Sequence, residues 1–325
     1  METLSSVLLI HGGTLGDFVL TLSIIRALKS AGANRITVLA RGPHAFLARR
    51  GGAEAFWDID VSPWHHLFSP ALAAPAPVRQ QLFGLDLAID FLGGSALVRG
   101  LSAAGIKRVI RVDPRPRPEY HGHIVEQWMA DLVDAALDLG PIPSPHVEIS
   151  ETEASRARAD LLQLLGVESD TMVLIHPGSG SNAKCWPVDR FIGLARRMQT
   201  RQFGVVFLIG PAEIDRWPPT VLRQLTEVGP VINDPSIDRL SQFLAAADLY
   251  IGNDSGVSHL AAAVGTPTLT IFGPTCPVRW SPRGPRVAVV GPETDDPWPI
   301  LDQVTDGVLS IAPIRKTRTK GARSS

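Results

Sequence analysis

Asp17 closes the run His11-Gly12-Gly13-Thr14-Leu15-Gly16-Asp17, where the short apolar stretch Val7 to His11 gives way to a helical pattern. A carboxylate entering a helix there can take a proton from a hydroxyl as a general base, or it can do no more than complement the helix dipole. The run nearly matches the dinucleotide pattern G-x-G-x-x-G: Gly13 and Gly16 are in place and His11 stands where the first glycine belongs. Asp17 would repel a pyrophosphate at that helix end. This argues against a nicotinamide enzyme, whose remaining support is Arg41 after the second strand.

Two further loops carry small residues and charge. In His176-Pro177-Gly178-Ser179-Gly180-Ser181-Asn182-Ala183-Lys184-Cys185-Trp186-Pro187, small side chains leave backbone N–H groups free and Lys184 adds a point charge suited to phosphate. The spacing fails the Walker A pattern, and an ordinary flexible loop with a surface lysine is the alternative. In Gly252-Asn253-Asp254-Ser255-Gly256-Val257-Ser258-His259, Asp254 or Ser255 can cap a helix whose first N–H groups, near Ser255 and Gly256, form an anion site. His259, one turn in, either faces that site or is a satisfied core histidine. Glu213, after Gly210-Pro211-Ala212, stands where a carboxylate can hold a ribose diol or be a plain loop acid.

The elements that must position these loops alternate as strand and helix. Val7 to His11, a helix from about Asp17 to Lys29 and Arg35 to Ala40 form one βαβ unit, and Leu85 to Phe91 and Arg108 to Val112 read as later strands. Continuous apolar runs suit parallel strands covered on both faces. A helix is expected from Ile124 to Leu139, ended by Gly140. Pro141, Pro143 and Pro145 then favour an extended link. Beyond it the spacing predicts strands at Met172 to His176, Val205 to Ile209, Leu249 to Ile251 and Thr268 to Phe272. Helices are predicted from Pro187, as first residue, to Thr200 and over about Val257 to Val264. Asp58 to Gln80 and Gly273 to Pro299 read as loops. The expectation is an α/β protein of two Rossmann-like domains, 1–150 and 151–312, with parallel sheets facing across a cleft, and a basic tail, 313–325.

Hydrophobic residues make up 45% of the 325 and charged residues 19%, enough for large cores. A net charge of -1 provides no global field for nucleic acid, although Arg315, Lys316, Arg318, Lys320 and Arg323 cluster in a tail read as solvated and flexible. The two cysteines, Cys185 and Cys276, form no C-x-x-C pair or metal cluster, so a reducing compartment and no structural zinc are expected. With neither a secretion leader nor an 18-residue apolar run, a cytoplasmic chain is expected, with peripheral membrane contact at most.

The chain resembles glycosyltransferase family 9, the bacterial ADP-heptose:lipopolysaccharide heptosyltransferases of the GT-B fold. The resemblance rests on Gly16-Asp17 with Leu20-Thr21-Leu22, on His176-Pro177-Gly178-Ser179, on Lys184 to Pro187, on Ile209-Gly210-Pro211 with Glu213, and on Ile251 to Thr275. It runs in order from about residue 6 to 282. It implies an inverting transferase without a cofactor or metal, acting on a nucleotide-diphosphate sugar and a glycan or glycolipid acceptor. Asp17 is implied as base and Lys184 as the contact to donor phosphate and sugar. Ser179 and Gly180 are implied in the phosphate loop, Glu213 near the nucleoside and Asp254 at donor sugar hydroxyls. Ser255, Gly256 and His259 are implied in the diphosphate turn, with Gly13, Thr14 and Gly16 on the acceptor side. At Leu92 to Ser95 many relatives carry polar and basic residues that this chain lacks. Arg99, Lys107, Arg108, Arg111, Arg115 and Arg117 either meet an acidic acceptor instead or form a solvated basic face. Sugar-nucleotide 2-epimerases share this architecture, and a non-catalytic nucleotide-sugar-binding protein is the third reading.

Overall fold

The computed structural model describes residues 5–61, 63–68, 75–293 and 296–312. The basic tail expected at 313–325 lies outside the described residues. In the amino-terminal lobe the order is β1 (Ser6–Ile10), α1 (Leu15–Ser30), β2 (Arg35–Ala40), α2 (Ala45–Arg50), β3 (Ala55–Asp58) and α3 (Ala76–Leu82). It continues with β4 (Leu87–Asp90), α4 (Ser95–Ala103), β5 (Arg108–Arg111) and α5 (Ile124–Asp134). The carboxy-terminal lobe begins with α6 (Glu151–Leu165), β6 (Met172–His176), α7 (Val188–Thr200), β7 (Gly204–Ile209), α8 (Pro211–Arg216) and α9 (Pro219–Val228). There follow β8 (Val231–Asn233), α10 (Ile237–Ala246), β9 (Leu249–Asn253), α11 (Gly256–Ala263), β10 (Thr268–Ile271), α12 (Pro277–Trp280), β11 (Val287–Val290) and α13 (Leu301–Ile311).

Both sheets are wholly parallel. Their orders are β3-β2-β1-β4-β5 and β11-β10-β9-β6-β7-β8. The strand order reverses beside β1 and β4 in one sheet and beside β6 and β9 in the other. In open α/β sheets the crevice beyond the strand ends at such a reversal is where ligands sit. Those strand ends lead into Gly12 to Asp17, Leu92 to Gly94, Pro177 to Lys184 and Asp254 to Ser255. The central strands β1, β6, β7 and β9 are buried along their whole length, because helices cover both faces.

Several boundaries differ from the sequence reading, each for a local reason. The helix from Ile124 ends at Asp134; Ala136 adopts φ 57°, while Leu137 and Leu139 stay buried without helix, so the apolar pattern outlasted the element. Pro187 caps α7 from outside, with φ -51° and ψ 131°, rather than opening it. The stretches read as loops contain a 3₁₀ helix at Trp64–Phe68 and α3, and further on α12 and β11. Strands β3 and β11 are partly buried and four residues long, too short for a period to stand out.

The lobes meet through α1 and α11, whose first turns touch glycine to glycine. A β-carbon on Gly256 would stand 2.8 Å from Leu15 Cβ and 2.9 Å from the Gly16 nitrogen; one on Gly16 would stand 3.2 Å from His259 Cδ2. One hydrophobic cluster runs through this contact, joining Phe18 and Leu22 of α1 to Leu260 and Ala261 of α11. Gly256→Ala is expected to destabilise the protein by about 1–3 kcal/mol, because backbone blocks the new methyl and overpacking outweighs the ~1 kcal/mol that alanine gains in a helix. Urea unfolding checks this, and an unchanged or raised midpoint would show that the lobes yield freely.

Candidate functional site

A cavity of about 530 Å³ lies between the lobes. Thr14, Gly16 and Asp17 line one side; Ser179, Gly180, Lys184, Glu213, Asp254, Ser255, Gly256 and His259 line the other. Of the residues expected to serve as base, donor contacts or acceptor-side loop, only Gly13 is not in the lining. It sits behind Asp17, where a β-carbon would lie 2.8 Å from His11 Cε1 and 3.0 Å from Asp17 Oδ2, so the glycine lets the carboxylate fold back on the loop.

Asp17 is the third residue of α1. Its Oδ2 accepts from the Thr14 N–H at 3.1 Å and from the Thr14 hydroxyl at 2.8 Å. The bonds fix the carboxylate's direction and leave Oδ1 without a hydrogen bond among the described residues. Helix capping and a free acceptor oxygen therefore coexist in one side chain.

Across the gap, Lys184 Nζ donates to Asp254 Oδ2 at 2.9 Å, and the Thr275 hydroxyl donates to the same oxygen at 2.8 Å. Lysine and aspartate, given separate duties from the sequence, thus neutralise each other here. The Ser179 hydroxyl is buried and donates to the Asp254 carbonyl, so at that position only the backbone is open to a ligand. Ser255 occupies the N-cap position of α11 without bonding a helix N–H through its side chain. The Gly256 and Val257 N–H groups have no preceding turn to accept them, which gives the cavity positively polarised donors beside Lys184.

Glu213 is 3% exposed, and the space it fills exists because Gly178 has no side chain: a β-carbon there would be 2.1 Å from Oε1. Burial pushes its pKa up, but His176 at 3.5 Å, the Gly210 N–H and Arg216 outweigh burial and hold it below the usual carboxylate value. It is a fixed anion, not a proton donor. His259 is neutral: burial lowers its pKa to about 4, against the attraction of Asp254, and its Nδ1 has no hydrogen-bond partner among the described residues. It is a buried histidine, though not a satisfied one.

Residues that sequence reasoning did not single out hold the loops together. Asn253 is fully buried; its amide donates to the Pro177 and Gly178 carbonyls and its oxygen accepts from the Trp186 N–H. It stitches the loop after β6 to the loop after β9. Trp280 of α12 also lines the cavity. Neither had a local signal, since both depend on contacts more than sixty residues away.

A second cavity of about 750 Å³ lies beyond β4 and β5, lined by Gly93, Gly94, Arg111, Arg115, Arg117 and Asp131 among others. Its charges are largely balanced. Arg117 pairs with Asp131 at 2.7 Å and Arg115 with Asp113 at 3.3 Å, while Arg108 bonds the Ala135 and Ala136 carbonyls. Both cysteines are free, and among the described residues no three His, Cys, Asp or Glu side chains form a group able to hold a metal. No helix among them is long and apolar enough to cross a membrane.

The model of glycosyltransferase family 9 (heptosyltransferase) matches residues 101–299. Lipopolysaccharide heptosyltransferase 3 of Escherichia coli K12 is 35% identical over 124 residues, 37% of this chain and 36% of that protein. The match thus spans about a third of that relative's length. Among solved structures, a glycosyl transferase family 9 protein of Veillonella parvula superposes with a TM-score of 0.78 at 18% identity, covering 95% of this chain and 98% of that one. The ADP-heptose lipopolysaccharide heptosyltransferase II of Escherichia coli gives 0.72 at 20% identity, covering 94% and 98%. The two-lobed arrangement is the GT-B fold.

His11, His44 and His259 are each held at about 4, first by burial, where the ordinary value is 6.5. The unfolded chain therefore binds protons between pH 6.5 and 4 that the folded one does not. Stability is complete above 6.5 and falls toward pH 4, by up to ~1.4 kcal/mol per pH unit for each histidine. Urea midpoints between pH 7 and 5 should drop accordingly, and less steeply in His44→Asn; a flat profile would contradict the assignment.

Proposed function

The chain belongs to glycosyltransferase family 9, and we propose that it transfers a sugar, heptose from ADP-heptose, to a lipopolysaccharide-core or related glycan. The observation that carries this reading is that Asp17 of one lobe and Lys184 with the start of α11 from the other line a single cavity. The proposed reaction is a direct displacement with inversion. Asp17 Oδ1, the oxygen that Thr14 leaves free, takes the proton of the attacking hydroxyl as its oxygen bonds the anomeric carbon. The bond to the diphosphate breaks, and negative charge gathers on the departing group. Lys184 and the Gly256 and Val257 N–H groups stabilise that charge as donors already in place. Glu213, kept ionised, suits the ribose diol, and Asp254 suits hydroxyls of the donor sugar. The neutral His259 can hydrogen-bond without adding charge. The backbone at Ser179, Gly180 and Ser255 surrounds the diphosphate, and Thr14 and Gly16 border the acceptor. Gly13 contributes by leaving room for the base. The proposed reaction uses no metal, and the proposed location is the cytoplasm, with at most peripheral contact at the cytoplasmic face of the inner membrane.

Asp17→Asn should lower the transfer rate by at least about a hundredfold while donor affinity stays within about twofold, because only the proton acceptor is lost. Rapid-quench transfer assays and ADP-heptose titrations read the two quantities. Equal losses in both would make Asp17 a structural cap. The wild-type rate should be unchanged in EDTA, and conversion of the nucleotide sugar without any acceptor would point to a 2-epimerase instead.

A further inference from the structure

Trp280 ends α12 and reaches the cavity from the carboxy-terminal lobe, yet its neighbours are tied to the other lobe. Arg279 donates to the Tyr120 carbonyl. The His123 ring bonds the Ser281 carbonyl through Nε2 at 2.9 Å. His123 Nδ1 accepts from the Val125 N–H, so the Nε2 carries the proton and donates. Arg283 meets Glu126 at 3.2 Å, and the second oxygen of Glu126 accepts from the His123 N–H. Residues 279, 281 and 283 are thus pinned to the segment 120–126, and Trp280 is held between two of the pins. The indole is half-buried, packs partly against the hydrophobic cluster shared by both lobes and shares the cavity wall with Asp17 and His259. Its N–H makes no hydrogen bond among the described residues, unlike that of Trp186, which donates to the Pro299 carbonyl.

A pyranose ring has a face of C–H groups and a rim of hydroxyls, so it needs an apolar plate on one side and polar groups around its edge. An aromatic ring with a spare N–H offers both at little conformational cost. We propose that Trp280 is a sugar platform that seats the acceptor ring beside Asp17 and helps determine which glycan is accepted. This inference rests on the transferase reading. The acceptor, rather than the donor, is chosen because the groups suited to a nucleotide sugar, Lys184, Glu213 and the start of α11, lie on other loops. Trp280, in contrast, is fixed to the lobe that carries the base.

The test uses the full chain saturated with ADP and titrated calorimetrically with a deacylated, heptose-free lipopolysaccharide core oligosaccharide. Trp280→Leu keeps an apolar side chain without the ring, and Trp280→Phe keeps a ring. The expected result is a Kd for the oligosaccharide raised at least about tenfold by leucine and no more than about threefold by phenylalanine, with the ADP Kd unchanged in both. The proposal is overturned if leucine binds the oligosaccharide as wild type does, if ADP affinity is what falls, or if the wild-type complex does not bind the oligosaccharide. ADP release in parallel assays with ADP-heptose keeps the two readings apart. Oligosaccharide binding that depends on Trp280 without any transfer would retain the platform and remove the transferase.

Discussion

Everything in the cleft depends on two helices meeting end to end without side chains between them. At Gly16 and Gly256 the first turns of α1 and α11 approach until backbone touches backbone. Both helix starts then point their unpaired N–H groups toward the same space, which concentrates positive potential there. One of the two ends is answered from within by Asp17, and the other is left open. The asymmetry, one end occupied by a carboxylate and the other free for an anion, is what puts a base candidate on one wall of the cavity and polarised N–H donors on the other. A larger residue at either position would widen the gap between those walls before altering any reactive group.

The buried histidines fit this division. His11, His44 and His259 all lie within the electrostatic reach of Asp17, and burial keeps each of them neutral. Were they charged, they would compete with Lys184 and the helix ends for any anion in the cleft and would hold Asp17 in ion pairs. Their neutrality leaves Lys184 as the charged cation in the cavity lining, and Glu213, beside His176 and Arg216, as a fixed negative charge in the same lining.

Much of this can be read from the sequence, because parallel strands buried on both faces announce themselves. Arg35 to Ala40 and Met172 to His176 are continuous apolar runs and have those same limits in the fold. The edge strands Ala55–Asp58 and Val287–Val290 are only partly buried and four residues long, and the apolar run Val287–Val290 falls inside a Pro- and Trp-rich stretch read as a loop. The candidate residues Asp17, Lys184, Glu213, Asp254 and His259 are legible for a related reason, since each sits in a loop after a strand or in the first turn of the helix that follows, where an open sheet gathers its ligands. What spacing cannot convey is how those loops treat one another. The pairing of Lys184 with Asp254, the stitching by Asn253 and the arrival of Trp280 all join segments distant in the chain, and no local pattern encodes them.

The contact between Lys184 and Asp254 carries a last consequence. The cleft already contains a counter-ion for its own cation, so an incoming anion must share Lys184 with Asp254, and net affinity is a difference between two attractions. Under the proposed reaction, an intact nucleotide sugar can compensate Asp254 for the lost lysine by offering it hydroxyls. The spent nucleotide has none to offer at that place, so under that reaction the compensation of Asp254 ends when the sugar is transferred.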